Sequence, residues 1–332
     1  MIRYILRRIL TMIPTLLLIS VCVFVIIELP PGDYFESHVA ELRALGEQAD
    51  LDEIEMLREE YGFDQPQYMR YLTWVGGMVT GDFGYSFAYR LPVNEVVGDR
   101  LWLTFVLSVL TILFTWVLAF PIGIYSATHQ YSWGDYGLTF LGLIGLAVPN
   151  FMLALMAMYF ANVWFGLSIG NLMDSQYVNE PMSWEKARSI LGHIWIPVII
   201  IGIAGTAGMV RRLRANLLDE LQKQYVITAR AKGLAPGKVL RKYPLRMALN
   251  FFIADIGSIL PAMISGAEVT AIVLSLETTG PMLIRALQSQ DMYLAGSFLM
   301  FLAALTVLGT LVSDIALALL DPRIRLGQGS AK

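Results

Sequence analysis

Few residues of this chain could carry out chemistry, and their spacing argues against most reactions. The three histidines, His38, His129 and His193, stand far apart with no His-Glu-x-x-His pattern. A zinc protease needs two histidines one helical turn apart to reach one ion, so that chemistry has no support. No Gly-x-Ser-x-Gly elbow is present for acyl transfer. Gly233-Leu234-Ala235-Pro236-Gly237-Lys238-Val239 imitates a phosphate loop, but it has three residues between its glycines where four are needed. It also lacks Ser or Thr after the lysine and follows no strand. If ATP is used, another chain hydrolyses it. Cys22 is the single cysteine and lies in an apolar run, which excludes a disulfide framework or a cysteine-held metal. Two carboxylates, Glu268 and Asp255, interrupt an apolar segment. A carboxylate at mid-bilayer costs at least about 2.5 kcal/mol, so such a group turns to the bundle interior or a watery path. Glu268 is a candidate for lining a translocation pathway, with Asp255 nearer the cytoplasmic end; a helix–helix hydrogen bond is the even-odds alternative.

The elements that hold these residues are set by composition. Of 332 residues, 56% are hydrophobic and 15% charged, and the mean hydropathy is +0.59. The apolar residues come in blocks of about 20 or more, which makes an all-α polytopic membrane protein. Six spans are expected, at about 9–29, 101–127, 137–166, 190–210, 249–276 and 292–320. The first ends in Glu28-Leu29-Pro30-Pro31-Gly32 without a small-residue cleavage pattern and reads as a retained helix rather than a signal peptide. Pro121 and Pro149-Asn150 mark expected kinks. The Met152, Met156 and Met158 group reads as packing.

Lysine and arginine fix the orientation. Three lie before the first span, ten in 211–246 and three in the tail, sixteen of the 24 in all. The segment 30–100 carries fourteen Asp and Glu against five Arg and belongs outside. Both termini are then cytoplasmic. The layout is residues 1–29, N-terminus and first helix; 30–99, an external subdomain with helical patches near 51–61 and 66–79; 100–320, a five-helix core carrying a cytoplasmic segment at 211–248; and 321–332, a cytoplasmic tail. The loop 277–291 shares the outer side. On charge alone, the basic loop could do no more than set topology and touch lipid headgroups.

Five stretches, in order and at matching depth, resemble the membrane-spanning permeases of bacterial ABC importers of the dipeptide/oligopeptide type. They are Tyr4-Ile5-Leu6-Arg7-Arg8 with Pro31-Gly32-Asp33; Gly62-Phe63-Asp64-Gln65-Pro66 with Gly81-Asp82-Phe83-Gly84-Tyr85-Ser86; Ser132-Trp133-Gly134-Asp135; Tyr225 to Leu234; and Leu320-Asp321-Pro322-Arg323. The resemblance implies a type I ABC importer permease fold with an external insertion after the first span. It implies a coupling helix, Thr228, Ala229, Arg230, Ala231, Lys232, Gly233 and Leu234, that docks on a nucleotide-binding subunit. Thr228 and Ala229 are small enough for close approach, Gly233 allows a left-handed helix end, and Pro236 suits the start of a second helix. The motif general to such importers is Glu-Ala-Ala, three residues, Gly, then Ile-x-Leu-Pro; aligned on Gly233, its first glutamate and final proline are absent here, a departure usual in the peptide-type branch.

The same resemblance implies the partners: a second, similar permease, two ATPase subunits that hold ATP and Mg, an extracytoplasmic solute-binding protein, and membrane lipid, with no nucleic acid. No cofactor is expected on this chain. Glu277, Thr278, Thr279 and Gly280 are the candidate binding-protein contacts. Here the chain departs from the family's aromatic-Pro-Gly-x-Gly, and Ala271 stands where a glutamate is usual, with Glu268 nearby. That leaves peptide, oligosaccharide or another small solute as cargo, with nickel chelates least favoured for want of a ligand cluster. A proton-driven transporter and a membrane scaffold are the remaining alternatives.

Overall fold

The computed structural model describes residues 2–37, 39, 56, 58, 59, 61–167, 169–177, 180, 182–250, 252, 253 and 267–320. Its helices are α1 (Ile2–Glu28), α2 (Gln67–Thr80), α3 (Val93–Thr128), α4 (Trp133–Ala147), α5 (Asn150–Phe165), α6 (Trp184–His193), α7 (Trp195–Leu221), α8 (Gln224–Ala231), α9 (Pro236–Lys242), α10 (Pro244–Ala248), α11 (Glu268–Val273), α12 (Thr279–Gln288) and α13 (Met292–Leu320). Two short strands, β1 (Tyr85–Ser86) and β2 (Leu91–Pro92), pair antiparallel with Tyr85 opposite Pro92. Four helices, α1, α3, α7 and α13, are long and apolar enough to cross a membrane, and the bent α4–α5 pair counts as a fifth when taken as one broken span. Half of the fifth expected span, 249–276, falls outside the described residues, as do Asp255, His38, most of the helical patch at 51–61 and the tail 321–332.

Two compact units make up the chain. The first comprises 1–103 and 278–308. In it α2 lies on α1 through Phe24, Tyr71 and Trp74, with the Phe24 and Tyr71 rings 5.4 Å apart and edge-on. Arg70 closes the C-terminal end of α1 with a two-pronged bond to Glu28, at 3.0 and 2.8 Å. Gly296 is where α13 meets Trp74; a Cβ there would sit 2.8 Å from the indole. A second core of this unit gathers Phe35, Phe63 and Phe87, with Tyr34, Tyr61, Tyr85 and Tyr293 around them. The aromatics of the external stretch are therefore a packed cluster, and edge-to-face pairing adds to their burial.

The second unit, 104–277 and 309–332, is built around α7. Its buried stripe includes Val210, Leu213 and Leu217, at the helical repeat, so the helix runs eleven residues past the expected end of the span at 210. Small residues allow backbones to approach closely, as in membrane helix pairs generally. A Cβ on Gly123 would meet Leu213 at 2.9 Å, on Gly202 would meet Phe114 at 2.5 Å, and on Gly145 would meet Ile203 at 3.0 Å. The expected kink at Pro149 is a full break: α4 and α5 meet at 94°, because Pro149 is extended (φ −60, ψ 141) and offers no N–H. Pro121 behaves otherwise, and α3 continues through it.

Two further boundaries differ from the sequence reading. α3 begins at Val93, where Val93, Val96 and Val97 are buried at i, i+3 and i+4, a periodicity masked by the intervening polar residues. The segment 277–291, expected as a loop, holds the ten-residue α12. Gly280 and Pro281 suggested a turn there, yet Pro281 lies in the first helical turn, where its missing N–H costs nothing.

Candidate functional site

The segment expected to carry coupling folds as a hairpin of two short helices. α8 ends at Ala231, and Gly233 takes φ +77 while the Leu234 N–H donates back to the Ala229 carbonyl at 3.3 Å. This left-handed close turns the chain, and Pro236 opens α9 at its first position. Val226, Ala229 and Val239 are buried between the helices, with Leu234 and Tyr243 against them. Ala229, 6% exposed, thus serves the hairpin's own packing. The exposed face is Ile227, Thr228, Arg230, Ala231 and Lys232. Its entry is tied down by Tyr225, whose hydroxyl donates to the Glu220 carboxylate across the α7–α8 junction. Burial, then that carboxylate, pushes the Tyr225 hydroxyl above its usual range and keeps it protonated.

Just ahead of the hairpin, α7 is clamped to the first turn of α4. Arg214 donates from Nε to Asp135 Oδ1 at 2.9 Å and from Nη2 to Oδ2 at 2.7 Å. Asp135 also accepts from the Tyr131 N–H at 3.0 Å, while its own N–H donates to Ser132 Oγ at 3.1 Å. Ser132 and Asp135 thereby close the start of α4 in the manner of a capping box. Two-pronged arginine–carboxylate bonds are among the strongest and most directional available. The sequence reading placed Arg214 only among the orientation-setting cations. Its position one turn from Val210 and Leu217, on a stripe otherwise buried, was the available signal, since a charge there requires a partner.

The first unit carries a second construction. Asp291, fully buried, accepts from Ser86 Oγ at 2.7 Å, from the Ala88 N–H at 3.1 Å and from the Leu294 N–H at 3.2 Å. It caps α13 and fixes the β1–β2 turn at once. Burial pushes its carboxyl up, and these donors pull it partly back. Ser289-Gln290-Asp291 directly before an apolar run is a helix-start signature that could have singled it out.

The remaining candidates separate. Glu268 is half-buried at the first residue of α11; Asp255 lies outside the described residues. Glu277 is partly exposed, but Thr278 (4%), Thr279 (0%) and Gly280 are buried at the start of α12. The three expected binding-protein contacts among them offer no surface in this chain, because the N-terminal turn of α12 faces inward and only its later residues, Arg285, Leu287 and Gln288, are exposed. No group of three or more metal-ligating side chains occurs among the described residues.

Comparison with known proteins agrees along the whole chain. The oligopeptide transport system permease protein AppB of Bacillus subtilis is 34% identical over 325 residues, covering 97% of this chain and 98% of that one. The dipeptide transport system permease protein DppB of Alkalihalophilus pseudofirmus is 29% identical over 342 residues, covering 98% and 100%. Among solved structures, a chain of the MetNI methionine ABC transporter in inward-facing conformations superposes with a TM-score of 0.53 at 14% identity, over 68% of this chain and 97% of that one. The shared architecture is that of a type I importer permease. Residues 1–108 match the N-terminal model of the membrane components of binding-protein-dependent transport systems. Residues 119–326 match the model of the inner membrane component itself, and the chain belongs to this family of binding-protein-dependent transport system inner membrane components.

Proposed function

We propose that this chain is the membrane-spanning subunit of an ATP-driven importer that takes peptides from an extracytoplasmic binding protein and passes them inward by alternating access. The observation that carries this reading is the α8–α9 hairpin, packed on its own Val226–Ala229–Val239 core and presenting Ile227, Thr228, Arg230 and Ala231 outward. Such a rigid knob at the end of α7 can transmit a push from a soluble subunit into the bundle. Two ATPase subunits close on ATP and Mg and move the hairpin; a second, similar permease completes the pathway. Both termini lie in the cytoplasm, as the distribution of lysine and arginine requires. A rigid bundle with two discrete packings is the bistable element. The oligopeptide and dipeptide permeases among the relatives support peptides as the cargo. The complex purified from its native membrane should contain an ATPase pair and a second permease, and vesicles bearing it should take up labelled peptides only with ATP and binding protein. Purification as a lone chain with ATP-independent uptake would sink the reading.

Two substitutions probe it. At Gly233 a Cβ meets open space, but φ is +77. Gly233→Ala therefore adds backbone strain alone, about 1–2 kcal/mol, to the hairpin's turn. A bulkier residue, Gly233→Val, should leave the complex expressed while detaching or uncoupling the ATPase. Wild-type solute-stimulated ATPase activity in the valine variant would remove the hairpin from the coupling path. Glu268→Gln tests the pathway: altered uptake of at least one peptide is expected with assembly intact, and unchanged uptake of every peptide assigns Glu268 to helix packing.

A further inference from the structure

The external part of the first unit holds a cleft of about 620 Å³, whose lining includes Tyr34, Ser37, Phe87, Arg90, Arg285 and Gln288. Every one of these residues lies outside the helices able to cross a membrane. No carboxylate lines the cleft among the described residues, and neither Arg90 nor Arg285 is paired with one. That is unexpected in a segment, 30–100, where Asp and Glu outnumber Arg by fourteen to five. The walls are fixed beforehand. Asp291 holds the turn at Ser86 and Ala88, and Tyr34 donates to the Phe87 carbonyl at 3.1 Å. Ser37 donates to Gln290 Oε1 at 2.6 Å. The Arg285 guanidinium lies 4.9 Å from the Tyr89 ring centre, with Arg100 4.7 Å from the same ring. Arg90 is held at φ +55, a backbone conformation that a non-glycine residue keeps only when its surroundings impose it.

We propose that this cleft is the anchor for the extracytoplasmic binding protein, receiving an acidic side chain of that partner between Arg90 and Arg285; the proposal rests on the importer reading above. Two guanidinium forks lining one polar recess match a planar carboxylate better than any neutral group. A cleft set by Asp291 needs little reordering when the partner arrives, which lowers the entropic cost of docking. The proposal also moves the binding-protein contact from the buried start of α12 to its exposed far end.

The test uses the whole complex in lipid nanodiscs, titrated with the binding protein that stimulates the wild-type ATPase. Arg90→Glu combined with Arg285→Glu should raise the half-saturating concentration of binding protein about tenfold, with basal activity and the maximum at saturation retained. The wild-type half-saturation should rise with salt, and that dependence should flatten in the variant. Where the reversed pair fails to assemble, Arg90→Gln with Arg285→Gln carries the test, with a rise of about threefold expected. An unchanged half-saturation in an assembled variant overturns the anchor and leaves the importer standing. A wild-type complex that no binding protein stimulates overturns both.

Discussion

Asp135→Ala is expected to cost about 3 kcal/mol and to abolish coupled transport. The Asp135 carboxylate is 3% exposed and Arg214 26% exposed, so removing the acid leaves a guanidinium largely out of water without a counter-charge. The Tyr131 N–H loses its acceptor in the same step. Breaking one side of a buried pair costs about 3–5 kcal/mol, and the partial exposure of Arg214 puts this case at the lower end. The effect on transport follows from position. Arg214 is two helical turns before the end of α7, and α8 begins at Gln224. With the clamp broken, a push on the hairpin bends the end of α7 before it moves α4. Thermal unfolding in detergent checks the stability, and the ratio of uptake to ATP hydrolysed checks the coupling. A double-mutant cycle of Asp135→Asn with Arg214→Gln should return a coupling energy of about 1–3 kcal/mol. Arg214→Lys keeps the charge but loses the fork and should fall between wild type and alanine. A wild-type unfolding midpoint together with wild-type coupling in Asp135→Ala would refute the clamp.

The second large effect is expected at Asp291. Asp291→Ala removes a helix cap and strands the Ser86 and Ala88 donors inside the protein. Each orphaned buried donor costs about 1–3 kcal/mol, so a loss of roughly 3 kcal/mol is expected. The β1–β2 turn should loosen with it, which hydrogen exchange at Ala88 and Tyr89 would detect as faster exchange than elsewhere in the first unit. The pH dependence has a definite sign. Burial raises the folded carboxyl above its ordinary value, so the folded protein binds more protons than the unfolded chain between the two values. Stability therefore falls as pH rises through that window, and Asp291→Asn should flatten the slope there. An identical slope in the asparagine variant would show that another group sets it.

Local properties were legible in the sequence. Span length, apolar density and the clustering of Lys and Arg are read along the chain, and together they give a polytopic helical protein with one strongly basic segment between its spans. The hairpin was legible too, because Gly233 and Pro236 act through their own backbones. Short-range signals misled where two readings share the same residues. Gly280-Pro281 serves a turn or a first helical turn equally well, and burial of Thr279 chose the helix. Ala229 is small whether it meets a partner or its own hairpin, and packing against Val239 chose the hairpin.

What the tertiary structure alone decided is the pairing of polar groups. Asp135 and Arg214 stand 79 residues apart, and Ser86 and Asp291 stand 205 apart. Nothing in a one-dimensional pattern says that Asp291 is buried or which of the ten Lys and Arg in 211–246 is clamped. The physical reason is that a charge's partner is chosen by where the packed apolar faces bring the chain, and only afterwards by charge. The sequence by itself determined that this protein spans a membrane and turns at Gly233 into a basic hairpin; the fold decided that Asp135 and Asp291 are the carboxylates that pin α7 to α4 and cap α13.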